Sequence, residues 1–355
     1  MSRTELVATY LARLPAGREV AAVEAFATGQ TIGTWTPIPG VTEAMRVAHG
    51  GRIVDVHPGG EDEMVAGESA RGRWVVRIGF PVSNFGSSWP MIFTTLLGND
   101  PSTSIAARLV DLDLPESLVM AFPGPRFGVA GWRRLTGVEG RPLLLNVIKP
   151  CTGFPPAVGA SFVRSVAAGG PDLIKDDELL ADPDFARVRD RARAYAIALD
   201  EVALETGQRP RYVANVTAPA GSLEATAEAA LEGGADALMV NALAIGLDAL
   251  AALAERDLGV PIFAHTAGIE ALTGPAGFGH GLLVGRLLPM VGADAVLTST
   301  PFASRPLPAG VFRASIAKMR EPWFGRPPSM PVVGGGLTAD HVPSLIGRAS
   351  CRERV

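Results

Sequence analysis

From residue 136 onward the chain alternates between two patterns. Short apolar runs rich in Val, Ile and Leu recur, each closing on a polar or glycine cluster: Leu143–Lys149, Asp172–Asp177, Arg211–Thr217, Ala237–Asn241, Pro261–His265, Ala295–Thr300 and Pro331–Gly336. Between them lie Ala-rich stretches with helical spacing, such as Phe185–Leu204 and Leu223–Gly233. Runs without a polar face predict strands buried on both sides, and strand–helix repetition predicts a parallel α/β sheet. Seven such units suggest a (β/α)8 barrel that stops before its eighth strand. An open doubly wound sheet gives the same alternation, but no GxGxxG follows the first strand. Before residue 136 the pattern is mixed. Leu6–Tyr10 and Arg73–Phe80 predict strands, Val20–Thr28 a helix, and Met91–Leu97 a helix or a strand. The expected fold class is α/β, with an N-terminal α+β domain (1–135) followed by an incomplete barrel (136–345).

The polar residues gather where the predicted strands end: Lys149, Lys175-Asp176-Asp177-Glu178, Asn215, Thr217, Asn241, His265, Ser299-Thr300 and Gly334-Gly335-Gly336. In barrel enzymes that end carries the chemistry, so this coincidence predicts an enzyme. Composition narrows the field. With 47% hydrophobic residues the chain can bury a large core, and a net charge of −4 with scattered cations offers no face for nucleic acid. No run of about 18 apolar residues predicts a membrane span. Two cysteines, Cys151 and Cys351, make no disulfide framework, and the N-terminus carries no signal-peptide pattern. A cytoplasmic setting fits best.

Strand alternation puts Lys175 and Asp177 on the same side. Three consecutive acids after a lysine suit a hard cation such as Mg2+, and equally a solvated charge run at a loop start. Lys149 can serve as acid, base or phosphate anchor, or can snorkel outward. His265 is a candidate for proton transfer or for a structural histidine, and His280, where a helix is expected to begin, is a weaker one. The glycine triplet frees backbone N–H groups for an anion, or only makes a turn.

Three stretches then carry a resemblance. Ile148-Lys149-Pro150-Cys151-Thr152-Gly153, Gly169-Gly170-Pro171-Asp172-Leu173-Ile174-Lys175-Asp176-Asp177-Glu178 and Gly124-Pro125-Arg126-Phe127-Gly128 resemble the large chain of ribulose bisphosphate carboxylase (RuBisCO). Gly33-Thr34-Trp35-Thr36 and Gly98-Asn99 match the N-terminal, ferredoxin-like domain of that family. The resemblance covers residues 5 to 345. It implies that Lys175 is carbamylated by CO2 and binds Mg2+ with Asp177 and Glu178. It implies catalytic roles for Lys149, His265 and Lys175. Substrate contacts are implied for Thr34, Trp35, Asn99, Lys149, His265, Ser299, Gly335 and Gly336. Thr34, Trp35 and Asn99 are expected from a second subunit, so a homodimer with a shared site is implied.

Three departures set the chain apart from carboxylases. Gly29 stands where they carry a glutamate, Cys151 where they carry a second lysine, and the loop Thr300–Pro306 lacks their lysine. The expectation is a RuBisCO-like (form IV) protein. Its Gly277-Phe278-Gly279-His280 and Gly246-Leu247-Asp248 resemble the 2,3-diketo-5-methylthiopentyl-1-phosphate enolases of methionine salvage. Those enolases are expected to use a lysine where Asn99 stands, and an amide cannot remove a proton. Either Lys149 takes over, or the substrate is another phosphorylated ketone. A decarboxylase or transcarboxylase of a 3-keto sugar acid phosphate and a catalytically silent regulatory protein are the other readings. The last ten residues, 346–355, are expected to be non-native, and the chain as written to be poorly soluble or inactive.

Overall fold

Alternating burial along Glu5–Ala12 makes this segment a strand (β1) with one face against a core. It lies between β5 (Trp74–Pro81) and β6 (Arg108–Asp113), antiparallel to both, and β2 (Arg52–Pro58) extends the sheet beyond β5. A two-residue hairpin, β3 (Met64–Val65) and β4 (Glu68–Ser69), stands apart. Tyr10 on β1 ties two helices to this sheet. Its ring meets Phe26 edge-on at 5.1 Å, and its hydroxyl donates to the Leu96 carbonyl at 3.0 Å. Phe26 belongs to the helix Glu19–Gly29 and Leu96 to Trp89–Leu97, which settles the Met91–Leu97 run as helical. The strands β2 and β6 were not anticipated.

The structure is a computed structural model describing residues 4–99, 101 and 104–349. One compact unit runs to Phe122 and takes in Gly268–Leu287 and Ser299–Lys318. The other comprises Pro123–Ala267, Leu288–Thr298 and residues 319–349. Of the segment expected to be non-native, residues 350–355 lie outside the described residues, and the preceding ones continue the helix Val342–Ala349.

The second unit holds one parallel sheet of seven strands in sequence order. They are β7 (Leu145–Val147), β8 (Leu173–Lys175), β9 (Arg211–Asn215), β10 (Ala237–Asn241), β11 (Ile262–His265), β12 (Ala295–Thr298) and β13 (Met330–Val333). Each matches one predicted run. Leu173, Val213, Met239, Phe263 and Ala295 gather with Trp132 in one apolar cluster. Alternate residues face the other way: Tyr212 packs edge-on against Tyr195 of the helix Val188–Thr206, ring centroids 5.1 Å apart. Where β12 begins, the buried Asp294 accepts backbone N–H groups of Phe127 (2.6 Å), Gly128 (2.8 Å) and Ile262 (2.9 Å). It thereby joins the start of the helix Gly128–Thr136 to β11. Gly128 sits at φ +52, and a Cβ there would lie 2.5 Å from the Pro328 carbonyl oxygen, so this position requires glycine.

Candidate active site

The parallel register brings the C-terminal ends of the strands level. Val147 pairs with Lys175, and Asn241 pairs with His265. Lys149 leaves β7 and its Nζ bonds Oδ2 of Asp177, with the Cys151 sulfur 3.1 Å from the same nitrogen. Lys175 is 3% exposed, and its Nζ donates to the Asp176 carbonyl at 2.9 Å and lies 4.0 Å from Oε2 of Glu178. His265 Nε2 lies 3.6 Å from that same oxygen. Five of the predicted site residues therefore converge: Lys149, Lys175, Asp177, Glu178 and His265.

The acids do not act as a group of three. Asp176 points to the helix-covered side of the sheet, where its Oδ2 accepts from Arg191, Tyr212 and the Asn215 N–H. Period-two alternation produces this split. On the other side, Asn215 Nδ2 donates to the carbonyls of Asp177 and Glu178, 3.1 Å each, and Asn241 Nδ2 donates to that of Glu178 at 2.8 Å. The main chain of the loop is thus held while the carboxylates of Asp177 and Glu178 stay directed into the site.

Electrostatics sort the groups. Hydrogen bonds to Asp177 and then Cys151 raise the Lys149 ammonium above its ordinary value, so it is charged at neutral pH. Burial pushes the Asp177 carboxyl up, but Lys149 and the Leu179 N–H outweigh it and hold it down. Burial lowers Lys175 against the pull of Glu178 and Asp177, favouring the neutral amine. Burial pushes His265 down to about 4. Its Nδ1 accepts the Ala267 N–H at 3.2 Å, so the neutral ring carries its proton on Nε2, facing Glu178.

Among the described residues no three His, Cys, Asp or Glu side chains converge as a preformed metal group. The donor chemistry fits a hard cation once Lys175 is counted. Two carboxylates flank a buried amine that is kept toward the neutral form, and the neutral form is the one that adds CO2 to give a third oxygen ligand.

Of the remaining predicted residues, Gly335 (φ +88) and Gly336 (φ +68) follow β13 with exposed, left-handed backbone. Thr34, Trp35, Asn99 and Ser299 belong to the first compact unit. Arg46 braces the Thr34–Thr36 turn by donating to the Thr34 carbonyl at 3.0 Å, and Trp35 is 62% exposed. His280, in the same unit, begins the short helix His280–Leu282 and is buried. Sequence reasoning missed Arg191. The available signal was an arginine on the apolar face of a helix, among Val188, Ala192 and Tyr195.

Comparison with known proteins bears on this arrangement. Residues 128–303 match the model of the ribulose bisphosphate carboxylase large chain, catalytic domain. A ribulose bisphosphate carboxylase-like protein of Archaeoglobus fulgidus is 37% identical over 346 residues, covering 96% of this chain and 79% of its own. The 2,3-diketo-5-methylthiopentyl-1-phosphate enolase of Geobacillus kaustophilus is 37% identical over 332 residues, covering 91% and 79%. The crystal structure of a rubisco-like protein (MtnW) from Alicyclobacillus acidocaldarius superposes with a TM-score of 0.87 at 34% identity, covering 97% of this chain and 85% of that one.

Proposed function

Because the chain belongs to the RuBisCO large-chain family, we propose that it is a Mg2+-dependent enolase of a phosphorylated ketone, most like 2,3-diketo-5-methylthiopentyl-1-phosphate. The observation that carries this reading is the convergence of Lys149, Lys175, Asp177, Glu178 and His265 at the ends of β7, β8 and β11. The seven parallel strands are read as those of a (β/α)8 barrel, following in sequence a ferredoxin-like N-terminal domain. Gly29, Cys151 and a lysine-free loop Thr300–Pro306 argue against CO2 fixation.

Lys175, Asp177 and Glu178 would hold the cation, with CO2 carried as a carbamate on Lys175. Bound there, Mg2+ supplies Lewis-acid stabilisation of the negative charge that develops on the substrate's carbonyl oxygens. The protein's own groups divide the remaining work. Lys149 anchors an oxygen of the substrate and exchanges a proton with it. His265 donates from Nε2, since its other nitrogen is occupied by the Ala267 N–H. Asn99 cannot remove a proton, so abstraction falls to the Lys175 side chain or to Lys149. The left-handed backbone of Gly335 and Gly336 is read as binding the phosphate.

The exposed Trp35, with Thr34 and Asn99, supports a homodimer in which these residues complete the partner's site. Asn99 suits equally a second reading, a decarboxylase or transcarboxylase of a 3-keto sugar acid phosphate.

The test is deuterium exchange. Protein with Mg2+ and bicarbonate is given the methylthio diketone phosphate in D2O, and label entry and enol absorbance are followed. Exchange that vanishes in Lys175→Ala supports the enolase. Metal binding without exchange sinks that substrate and moves the weight to the sugar acid phosphate.

A further inference from the structure

The guanidinium of Arg191 is wholly buried, and among the described residues none of its hydrogen bonds goes to the candidate metal ligands. Its bonds go instead to the two ends of the loop that bears them. Nη2 and Nε lie 3.0 and 3.3 Å from Oδ2 of Asp176, where the loop begins. Nη1 donates to the Ala186 carbonyl at 2.5 Å and Nη2 to the Ala181 carbonyl at 2.7 Å, where the loop returns to its helix. A planar fork with five donors can grip an anion and several carbonyls at once, and lysine cannot. The same Asp176 oxygen takes the Tyr212 hydroxyl at 2.7 Å and the Asn215 N–H at 2.9 Å. From the opposite side, Asn215 and Asn241 hold the carbonyls of Asp177 and Glu178.

A buried ion pair is a poor stabiliser, because desolvation offsets most of its attraction. Its value here lies in placement. Residues 176–178 cannot shift without breaking bonds on both sides, so the Asp177 and Glu178 carboxylates are aimed before any cation arrives. We propose that Arg191, through Asp176, and Asn241, through the Glu178 carbonyl, are positioning residues that set the affinity of the Asp177/Glu178 pair for a divalent cation. This rests on reading Lys175, Asp177 and Glu178 as the metal site.

The experiment titrates Mn2+ into the full chain in bicarbonate buffer and follows free Mn2+ by electron paramagnetic resonance. Wild type is compared with Asp177→Asn, Arg191→Lys and Asn241→Ala, each well below its melting temperature. The expected loss is about 10–100-fold in Mn2+ affinity for Arg191→Lys and Asn241→Ala, the range typical of residues that orient metal ligands. A purely structural role lowers the melting temperature and leaves the affinity alone, so wild-type affinity in the folded variants overturns the proposal. If Arg191→Lys does not fold, Asn241→Ala, at a half-buried position, decides by the same criterion. A wild type that shows no Asp177-dependent Mn2+ binding overturns the metal-site reading itself, and that result is separate from a change confined to the variants.

Discussion

His265 and Glu178 face each other across the site, with Nε2 3.6 Å from Oε2, and the Ala267 N–H fixes the proton on that Nε2. The imidazole is therefore a neutral donor beside a carboxylate. On the proposed function, replacing it with alanine removes a donor that would meet the substrate's oxygens. A loss of about 10²–10³ in kcat is expected, the range seen when one oxyanion-stabilising donor is removed. His265→Gln, which can still donate, should retain more activity than His265→Ala. Equal activity of the two in the deuterium-exchange assay would remove His265 from the chemistry.

Asp294 predicts a stability effect away from the site. Three backbone N–H groups, of Phe127, Gly128 and Ile262, end on its carboxylate. Burial raises its pKa, and those bonds partly offset the shift. Asp294→Ala strands all three donors in a buried setting, at about 1–3 kcal/mol for each unsatisfied group and less where water enters. Urea unfolding should show a fall of several kcal/mol, with a smaller one for Asp294→Asn, whose amide oxygen still accepts. A change below about 0.5 kcal/mol in Asp294→Ala would mean the junction is held elsewhere.

His280 sets a pH dependence with a definite sign. Burial, then the nearby charge of Arg108, pushes its pKa down to about 4 in the folded chain, against 6.5 unfolded. A depressed folded pKa means the unfolded chain binds more protons in that interval. Stability is complete above pH 6.5 and drains away as the pH falls toward 4, by at most about 3 kcal/mol. His265, pushed down to about 4 as well, adds to the same trend. In His280→Gln the fall in melting temperature between pH 7 and pH 5 should be shallower than in wild type. An unchanged slope would mean that His280 titrates normally.

The sequence made the parallel sheet legible because its strands are buried on both faces and announce themselves as unbroken apolar runs. It did not reveal β2 and β6. Their runs, Ile53-Val54-Asp55-Val56 and Leu109-Val110-Asp111-Leu112, carry aspartates, as outer strands of a half-exposed sheet can. At the site, Lys175, Asp177 and Glu178 were readable from one contiguous motif. The separation of Asp176 from its neighbours follows from period two. What Asp176 meets was hidden, because Arg191 lies on a helix that the sequence presents only as Ala-rich and amphipathic. Local pattern fixes the face on which a residue lies, whereas the partner across the layer depends on tertiary packing.

Trp35 stands 62% exposed on a turn braced by Arg46. An exposed indole is costly to leave in water, and burying one at an interface contributes a large apolar area with a polar tip. If Trp35 completes the partner's site, two defects placed on different chains can be separated. Lys175→Ala removes the lysine from its own chain's site, and Trp35→Ala spoils the site of the partner. Each homodimer is then inactive at both sites. A heterodimer puts both lesions at one site and leaves the other whole, so it should recover about half the wild-type activity per dimer, by the symmetry of a two-fold assembly. Two affinity tags allow the heterodimer to be purified, and sedimentation fixes its mass. No recovery in a heterodimer of the correct mass would place Trp35 in its own chain's site, and a monomer at micromolar concentration would remove the shared site altogether.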